Sequence, residues 1–445
     1  MSKSQQRGSA GGRPRVKGQL SLPEGTHTMI LGAGDLNGIF RGKRLPASRW
    51  DGVIKDGIAM SNALFALDMT SDIWDTPYTN FSTGYPDLFV KPIGDVSPVP
   101  WEEGVAWCMG QAETHGGEPV PIDPRYALEG VLAEAAEMGY EIQVGAELEF
   151  YLLDPETKQP RDKGIQVYGL ARASQLEHVV GPIRRHLEGA GIPIEQSNPE
   201  YAPGQVEVNI RYDEALLAAD RVVVFRGLVK QLAAKHGYLA TFMAKPFYDT
   251  SGSGFHTHMS LWKDGRNLLS DGGKLNDVGR HFLGGLQRHM AELALAGSTT
   301  PNAYLRKRPH TFCPTNNSWG IDNRTVGLRV IEGSESAVRV EKRDACADCN
   351  PYLLMATDIA AGLKGIREKI EPTEAETGDG YSAERHDPLP DNLTDALALA
   401  KESKLMLDVL GEPMLGVLVG QAERELEFVR NQVTPVERER YLESF

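Results

Sequence analysis

From Glu141 to Tyr151 the chain reads EIQVGAELEFY, with Ile142, Val144, Ala146, Leu148 and Phe150 at one parity and Gln143, Glu147 and Glu149 at the other. Successive side chains of a strand point to opposite faces, so this spacing predicts a β-strand that carries two carboxylates side by side. The device recurs. In GQVEVNI, Gln205, Glu207 and Asn209 alternate with Val206, Val208 and Ile210, and Glu200 lies one short turn upstream. In GSGFHTHMSLW, His256, His258 and Ser260 stand opposite Phe255, Thr257, Met259 and Leu261, and RVEKR sets Arg339, Glu341 and Arg343 on one face.

A solvated strand face usually mixes Lys, Thr, Ser and Glu, whereas these four segments use Glu, His and Arg with almost no Lys. Gathered on one sheet, Glu147, Glu149, Glu200, Glu207 and Glu341 would repel one another and raise their own pKa values unless cations sat among them. Divalent metal answers that. Oxygen ligands with imidazole suit Mg²⁺ or Mn²⁺ better than a thiolate-seeking ion. Nearby in sequence stand Arg306, Arg324, Arg329, Arg339 and Arg343, whose planar forks grip carboxylates and phosphates. Metal plus arginines points to phosphoryl transfer, which needs positioning and charge neutralisation more than a nucleophilic side chain. No GxxxxGK[ST] loop is present, so a nucleotide must be held another way.

Composition narrows the partners. Lys and Arg number 47 against 61 Asp and Glu, a formal charge of −14, which repels a phosphate backbone, so no nucleic-acid partner is expected. Four scattered cysteines, Cys108, Cys313, Cys346 and Cys349, suit a reducing cytoplasm and not a disulfide scaffold. The Cys346–Cys349 pair lacks a second pair to complete a zinc site. No stretch reads as a membrane-spanning run of ~20 apolar residues, so no membrane association is expected.

Residues 1–18 are basic and rich in Gly, Ser and Gln and read as a disordered tail. Residues 19–120 are short apolar runs broken by Gly, Pro, Asp and Asn, which suggests a small sheet-based domain. Within it, the glycines of LGAGDLNG lack a following helical stripe and so make a hairpin turn, not a dinucleotide site. At Asp123-Pro124 the character changes to an N-cap and N1 proline, followed by Leu128, Leu132, Ala135 and Met138 at helical spacing. A second domain, 121–445, is expected to begin there.

The stretches GAELEFYL (145–152), EYAPGQVEV (200–208), KPFYDTSGSGFHTHMSLW (245–262), NAYLRKRP (302–309), NRTVGLRV (323–330) and RVEKRDACADCNPYLLMATDIAAGLKGI (339–366) resemble the glutamine synthetase superfamily, in the family's order and at about its spacings. The resemblance implies an α+β fold: a small N-terminal β-grasp domain, and a large catalytic domain with a curved antiparallel half-barrel sheet backed by helices. It implies an ATP-dependent ligase that phosphorylates the γ-carboxylate of L-glutamate and lets an amine displace phosphate. It also implies two or three Mg²⁺ or Mn²⁺ ions per site and a double-ring homo-oligomer, a dodecamer, with each site completed by the neighbour's N-terminal domain.

By motif position, Glu149, Glu200 and Glu207 match the ligands of one metal, and Glu147, His256 and Glu341 those of another. Gly252, Arg306 and Arg343 match glutamate-binding positions, with Glu149 and His256 beside them. His258, Ser260, Arg329 and Arg339 match nucleotide positions, and Arg324 the arginine that stabilises the transferring phosphoryl group.

Departures from the family pattern carry their own implication. Ammonia-using members resemble one another in a glutamate just before Ala-Pro; here the segment is Thr311-Phe312-Cys313-Pro314, so Phe312 replaces it. The Asp-Gly-Ser-Ser motif of the N-terminal domain is also missing, with only Met60-Ser61-Asn62-Ala63 and Asp68 near its place. Ser251 stands where the family has an asparagine that contacts glutamate. A small cation such as NH₄⁺ needs close negative partners to leave water, whereas an organic amine gains from an apolar wall. The expectation is a γ-glutamyl-amine ligase of the branch that uses organic amines. An ammonia-using glutamine synthetase and a catalytically inactive binding homologue are the alternatives, and a metal amidohydrolase built on His256-Thr-His258 is a weaker one because no later histidine pair follows.

Overall fold

The computed structural model describes residues 19–164 and 167–444, so the tail expected over 1–18 lies outside the described residues. In chain order the strands are β1 Thr28–Gly34, β2 Phe40–Pro46, β3 Ile58–Ser61, β4 Asp87–Pro98, β5 Val105–Glu113, β6 Glu141–Leu153, β7 Ile194–Pro199 and β8 Gln205–Glu214. They continue as β9 Leu239–Thr241, β10 Phe255–Lys263, β11 Arg266–Asn267, β12 Ser270–Asp271, β13 Lys274–Leu275, β14 Trp319–Ile321, β15 Leu328–Ile331 and β16 Arg339–Lys342. Among the described residues they form a five-stranded sheet of order β2-β1-β5-β4-β3, a nine-stranded sheet on the path β14-β15-β16-β10-β6-β8-β7, and the short β12-β13 pair.

In the first sheet, β1 and β2 are the expected hairpin. Asp35 closes it by accepting from the backbone N–H groups of Asn37 and Ile39 at 2.9 and 2.8 Å, and Gly38 (φ 65°) supplies the left-handed residue the turn requires. No pyrophosphate-binding helix follows: β2 comes next.

The helix Pro124–Glu137 starts as its sequence dictates, with Asp123 accepting from Arg125 N–H at 3.0 Å and proline at N1. Behind the large sheet run the helices Leu170–Gly189, Ala215–Lys235 and Pro351–Glu368. The last ties the two sheets together. Its N-cap Asn350 donates to the carbonyls of Asp35 and Leu36, and Tyr352 donates to Asp220 at 2.7 Å.

The alternation read from the sequence places the chemistry. Ile142, Val144, Ala146, Leu148 and Phe150 of β6, with Phe255, Met259 and Leu261 of β10, are buried in the apolar core, which leaves the polar parity to the other face. Most of the sheet is antiparallel; the outer pair β14-β15 is parallel.

One helical stretch, Lys404–Tyr441, holds a window long and apolar enough to cross a membrane, although half of that window is buried inside the molecule. It is also broken at Gly411 (φ 72°, ψ 159°) with Pro413 two residues on. Leu405, Met406, Leu410, Met414, Val417 and Leu418 face the core, which is the pattern of a packed amphipathic helix.

Candidate active site

Strand register brings the polar residues into one array. Glu147 is opposite His256 across β6-β10, and His258 is opposite Glu341 across β10-β16. Glu149 is opposite Glu207, and Glu147 opposite Asn209, across β6-β8. Glu200 follows β7 directly and accepts from Asn198 Nδ2 at 2.9 Å.

Glu147 is the centre of the array. Its carboxylate lies 2.9 Å from His258 Nε2 and 3.3 Å from His256 Nδ1. His256 Nδ1 is also 3.5 Å from Glu341, and donor atoms of Glu147, His258 and Glu341 all lie within 4.8 Å of one another. Both imidazoles therefore reach this carboxylate pair, where sequence position singles out His256. Arg339 Nε donates to His258 Nδ1 at 3.2 Å. Arg343 pairs with one oxygen of the fully buried Glu341, and Arg329 with the other at 3.1 Å.

Two cavities open on the array and Glu147 lines both. One, about 290 Å³, includes His258, Ser260, Trp262, Tyr212 and Arg339. The other, about 280 Å³, takes in Glu149, Glu200, Glu207, Gly252, His256, Arg306, Arg324, Arg343 and Phe312. Of the residues singled out in the sequence, Glu341 and Arg329 line neither cavity. Glu341 is buried beneath the array, while Arg329 is also paired with Asp322.

Two glycines make the room. A Cβ at Gly252 would sit 2.7 Å from Arg306 Cγ, and one at Gly254 would sit 2.5 Å from an Arg306 guanidinium nitrogen and 3.0 Å from His256 Nε2. Arg306 uses the space to donate to the carbonyls of Ala345 and Asp344 at 3.0 and 3.3 Å. Gly254 N–H donates to Glu149 at 2.8 Å and Gln205 Nε2 to the same oxygen at 3.2 Å.

The electrostatics split Glu147, Glu200, Glu207 and Glu341 into two groups. Burial, and then the charges of Glu147, Glu149 and Glu200, push Glu207 up to about 9. Burial and Glu149 push Glu200 up to about 7. Glu147 and Glu341 are buried as well, yet their pKa values fall, Glu341 to about 2. His258 and His256 outweigh burial at Glu147, and Arg343 leads the same two histidines at Glu341. The rise expected unless cations sit among the carboxylates is therefore seen at Glu200 and Glu207, while at Glu147 and Glu341 protein cations already answer the charge.

The donor set fits a hard divalent cation: carboxylate oxygens with imidazole, and a buried His256 Nε2 that has no hydrogen-bond partner. Thiolate does not compete. All four cysteines are buried, and burial pushes the Cys346 thiol up to about 12.

Some residues of the site were not singled out in the sequence. Trp262 shares the parity of His258 and Ser260 and was legible by that rule. Tyr212 was not, because an irregularity in the β6-β8 register beyond Ala146–Ile210 breaks the alternation. Tyr201 sits in the β7-β8 turn and Tyr168 in a loop with φ 58°, where no periodicity applies.

The catalytic-domain model of glutamine synthetase matches residues 121–441. The chain belongs to the glutamine synthetase family. It is 36% identical over 397 residues to a glutamate–isopropylamine ligase from a Pseudomonas species, covering 85% of this chain and 86% of that protein. It is 34% identical over 433 residues to a γ-glutamylethanolamide synthetase from Streptomyces coelicolor, covering 94% and 92%. A solved structure described as a GmaS/ADP complex superposes with a TM-score of 0.84 at 30% identity, over 94% of this chain and 97% of that one. The family's ligase chemistry and its α+β architecture, with a curved sheet backed by helices, thus extend to this chain.

Proposed function

We propose that this ligase joins L-glutamate to an organic amine as a γ-glutamyl amide, using ATP and passing through γ-glutamyl phosphate. ATP would occupy the cavity of His258, Ser260 and Arg339, with Arg329 reaching the same end of the array, and L-glutamate the cavity of Gly252, Arg306 and Arg343. Glu147 lines both cavities, so the γ-phosphoryl group has a short path to the γ-carboxylate, with Arg324 on the receiving side. Glu149, Glu200 and Glu207 would hold one Mg²⁺ or Mn²⁺, and Glu147, His256 and Glu341 another, in a set of two or three. When bound, such ions neutralise phosphate oxygens. The neutral amine nitrogen then attacks the activated carbonyl carbon, the C–O bond to phosphate breaks, and the proton that the nitrogen gives up leaves on the departing phosphate as hydrogen phosphate.

The observation that carries the choice of amine is Phe312. It lines the glutamate cavity with its ring stacked on Tyr201 at 5.5 Å between centroids. Family members that use ammonia resemble one another in a glutamate at this point, and an aromatic ring offers NH₄⁺ no charge in exchange for its water. The names of the Pseudomonas and Streptomyces relatives, which specify isopropylamine and ethanolamide, support the same reading. We further propose that residues 19–120 and 121–445 are separate domains and that the chain assembles in the cytoplasm as a double-ring dodecamer. The test is phosphate release with L-glutamate, ATP and Mg²⁺ across a panel of amines that includes ammonium.

A further inference from the structure

We propose that Tyr201 is a specificity-determining residue, and that the acceptor pocket takes a monoamine whose alkyl group lies on the Tyr201–Phe312 pair, not a diamine or polyamine. This rests on the ligase reading above and goes further, to the class of amine and a residue that selects it.

The pair is held from both sides. Tyr201 lies in a turn closed by Gln205, whose backbone N–H donates to the Ala202 carbonyl at 3.0 Å and whose side chain accepts from Ala202 N–H at 3.2 Å. Phe312 has φ 58° and His310 φ 60°. Left-handed backbone is costly for such residues and persists only where surrounding contacts impose it. Thr311 Oγ1 supplies one by donating to the Arg308 carbonyl at 2.7 Å.

The two rings lie 27° from parallel; Tyr201 and Phe312 are 46% and 42% exposed and both line the cavity. A third ring, Tyr168, lines the same space at 60% exposure. Aromatic faces grouped in this way attract one alkylammonium ion through their rings and then cover its hydrocarbon.

Charge decides the number of nitrogens. The carboxylates that line the cavity are Glu147, Glu149, Glu200 and Glu207, all of them in the proposed metal sets. The other charged residues around it are Arg306, Arg324 and Arg343. Among this chain's own residues a second ammonium would therefore meet arginines and no spare anion, and would lose its water without a counter-charge.

The experiment measures KM for the amine and for L-glutamate separately, with methyl-, ethyl- and propylamine, the matching α,ω-diamines and ammonium, on the full chain with ATP and Mg²⁺. In the unmodified protein the amine KM should fall roughly fourfold per added methylene, and each diamine should be about tenfold or more weaker than the monoamine of equal length. Tyr201→Ala should raise the alkylamine KM about tenfold and flatten the chain-length trend while the glutamate KM stays put. Tyr201→Phe should restore both. Monoamine turnover with an unchanged trend in Tyr201→Ala, equal shifts in both KM values, or diamines matching monoamines would overturn this proposal while leaving the ligase reading intact. Turnover of ammonium alone would overturn the organic-amine reading itself, and the chain-length series in the unmodified protein depends on no variant folding.

Discussion

Glu149 on β6 and Glu207 on β8 are direct cross-strand partners. Like charges in that relation destabilise a sheet, and Glu147 and Glu200 add to the repulsion at Glu207. The arrangement makes physical sense as a site whose missing charge is supplied by a bound divalent ion.

That relationship fixes a pH dependence. The pKa of Glu207 rises from 4.5 to about 9 on folding, and that of Glu200 from 4.5 to about 7. A raised carboxyl pKa means that the folded chain binds more protons than the unfolded one. The stability this brings is complete below about 4.5 and is lost as pH rises through about 7 and then about 9. Thermal unfolding of chelator-treated protein should therefore move to lower temperature between these pH values, while Mg²⁺- or Mn²⁺-loaded protein holds steady and its metal affinity climbs. A chelated melting temperature that is flat or rising over this range would contradict the ion's role.

Glu207→Gln keeps the shape and removes the repelled charge. Its metal-free form should melt a few degrees higher than the unmodified protein above neutral pH, and ligase activity should drop by at least about a hundredfold, since even outer-sphere changes cost ~10–100-fold in metal affinity. Calorimetry and phosphate release on the same sample check both halves.

Much of this was legible because period two is a hard constraint. Glu147, Glu149, Glu207, Asn209, His256, His258 and Glu341 share one face for the same reason that Val144, Leu148, Val208, Phe255 and Val340 are buried on the other. What periodicity could not give was the partner of each charge. Arg329 meets Asp322 as well as Glu341, and His258 reaches Glu147 from a strand position opposite Gly145. Turns were opaque for a related reason. Tyr201 and Phe312 are 111 residues apart, and only tertiary folding stacks them.

The back of β16 carries a separate constraint. Lys342 points away from the site and pairs with Asp344 at 2.8 Å and with Asp358 of the helix Pro351–Glu368 at 3.1 Å, with all three side chains 1% exposed. Lys342→Met leaves two buried carboxylates without their cation and should destabilise the fold by ~3–5 kcal/mol. Denaturant unfolding measures this. A loss below about 1 kcal/mol would mean that the triad behaves like a surface pair.

Phe312→Glu restores a carboxylate to the acceptor pocket. Ammonium use should rise about tenfold or more, and alkylamines should lose at least as much, because the stack with Tyr201 is gone and the pocket wall is charged. Competition between ammonium and an alkylamine, read by the ratio of the two amide products, reports the switch directly.

On the reading proposed above, this member of the family activates L-glutamate for an organic amine. The direct measurement is kcat/KM for phosphate release by the unmodified protein with saturating L-glutamate and Mg-ATP, ammonium against a panel of primary alkyl, hydroxyalkyl and aryl amines. At least one organic amine should exceed ammonium by tenfold or more; ammonium outrunning every amine in the panel would mean that the acceptor is ammonia.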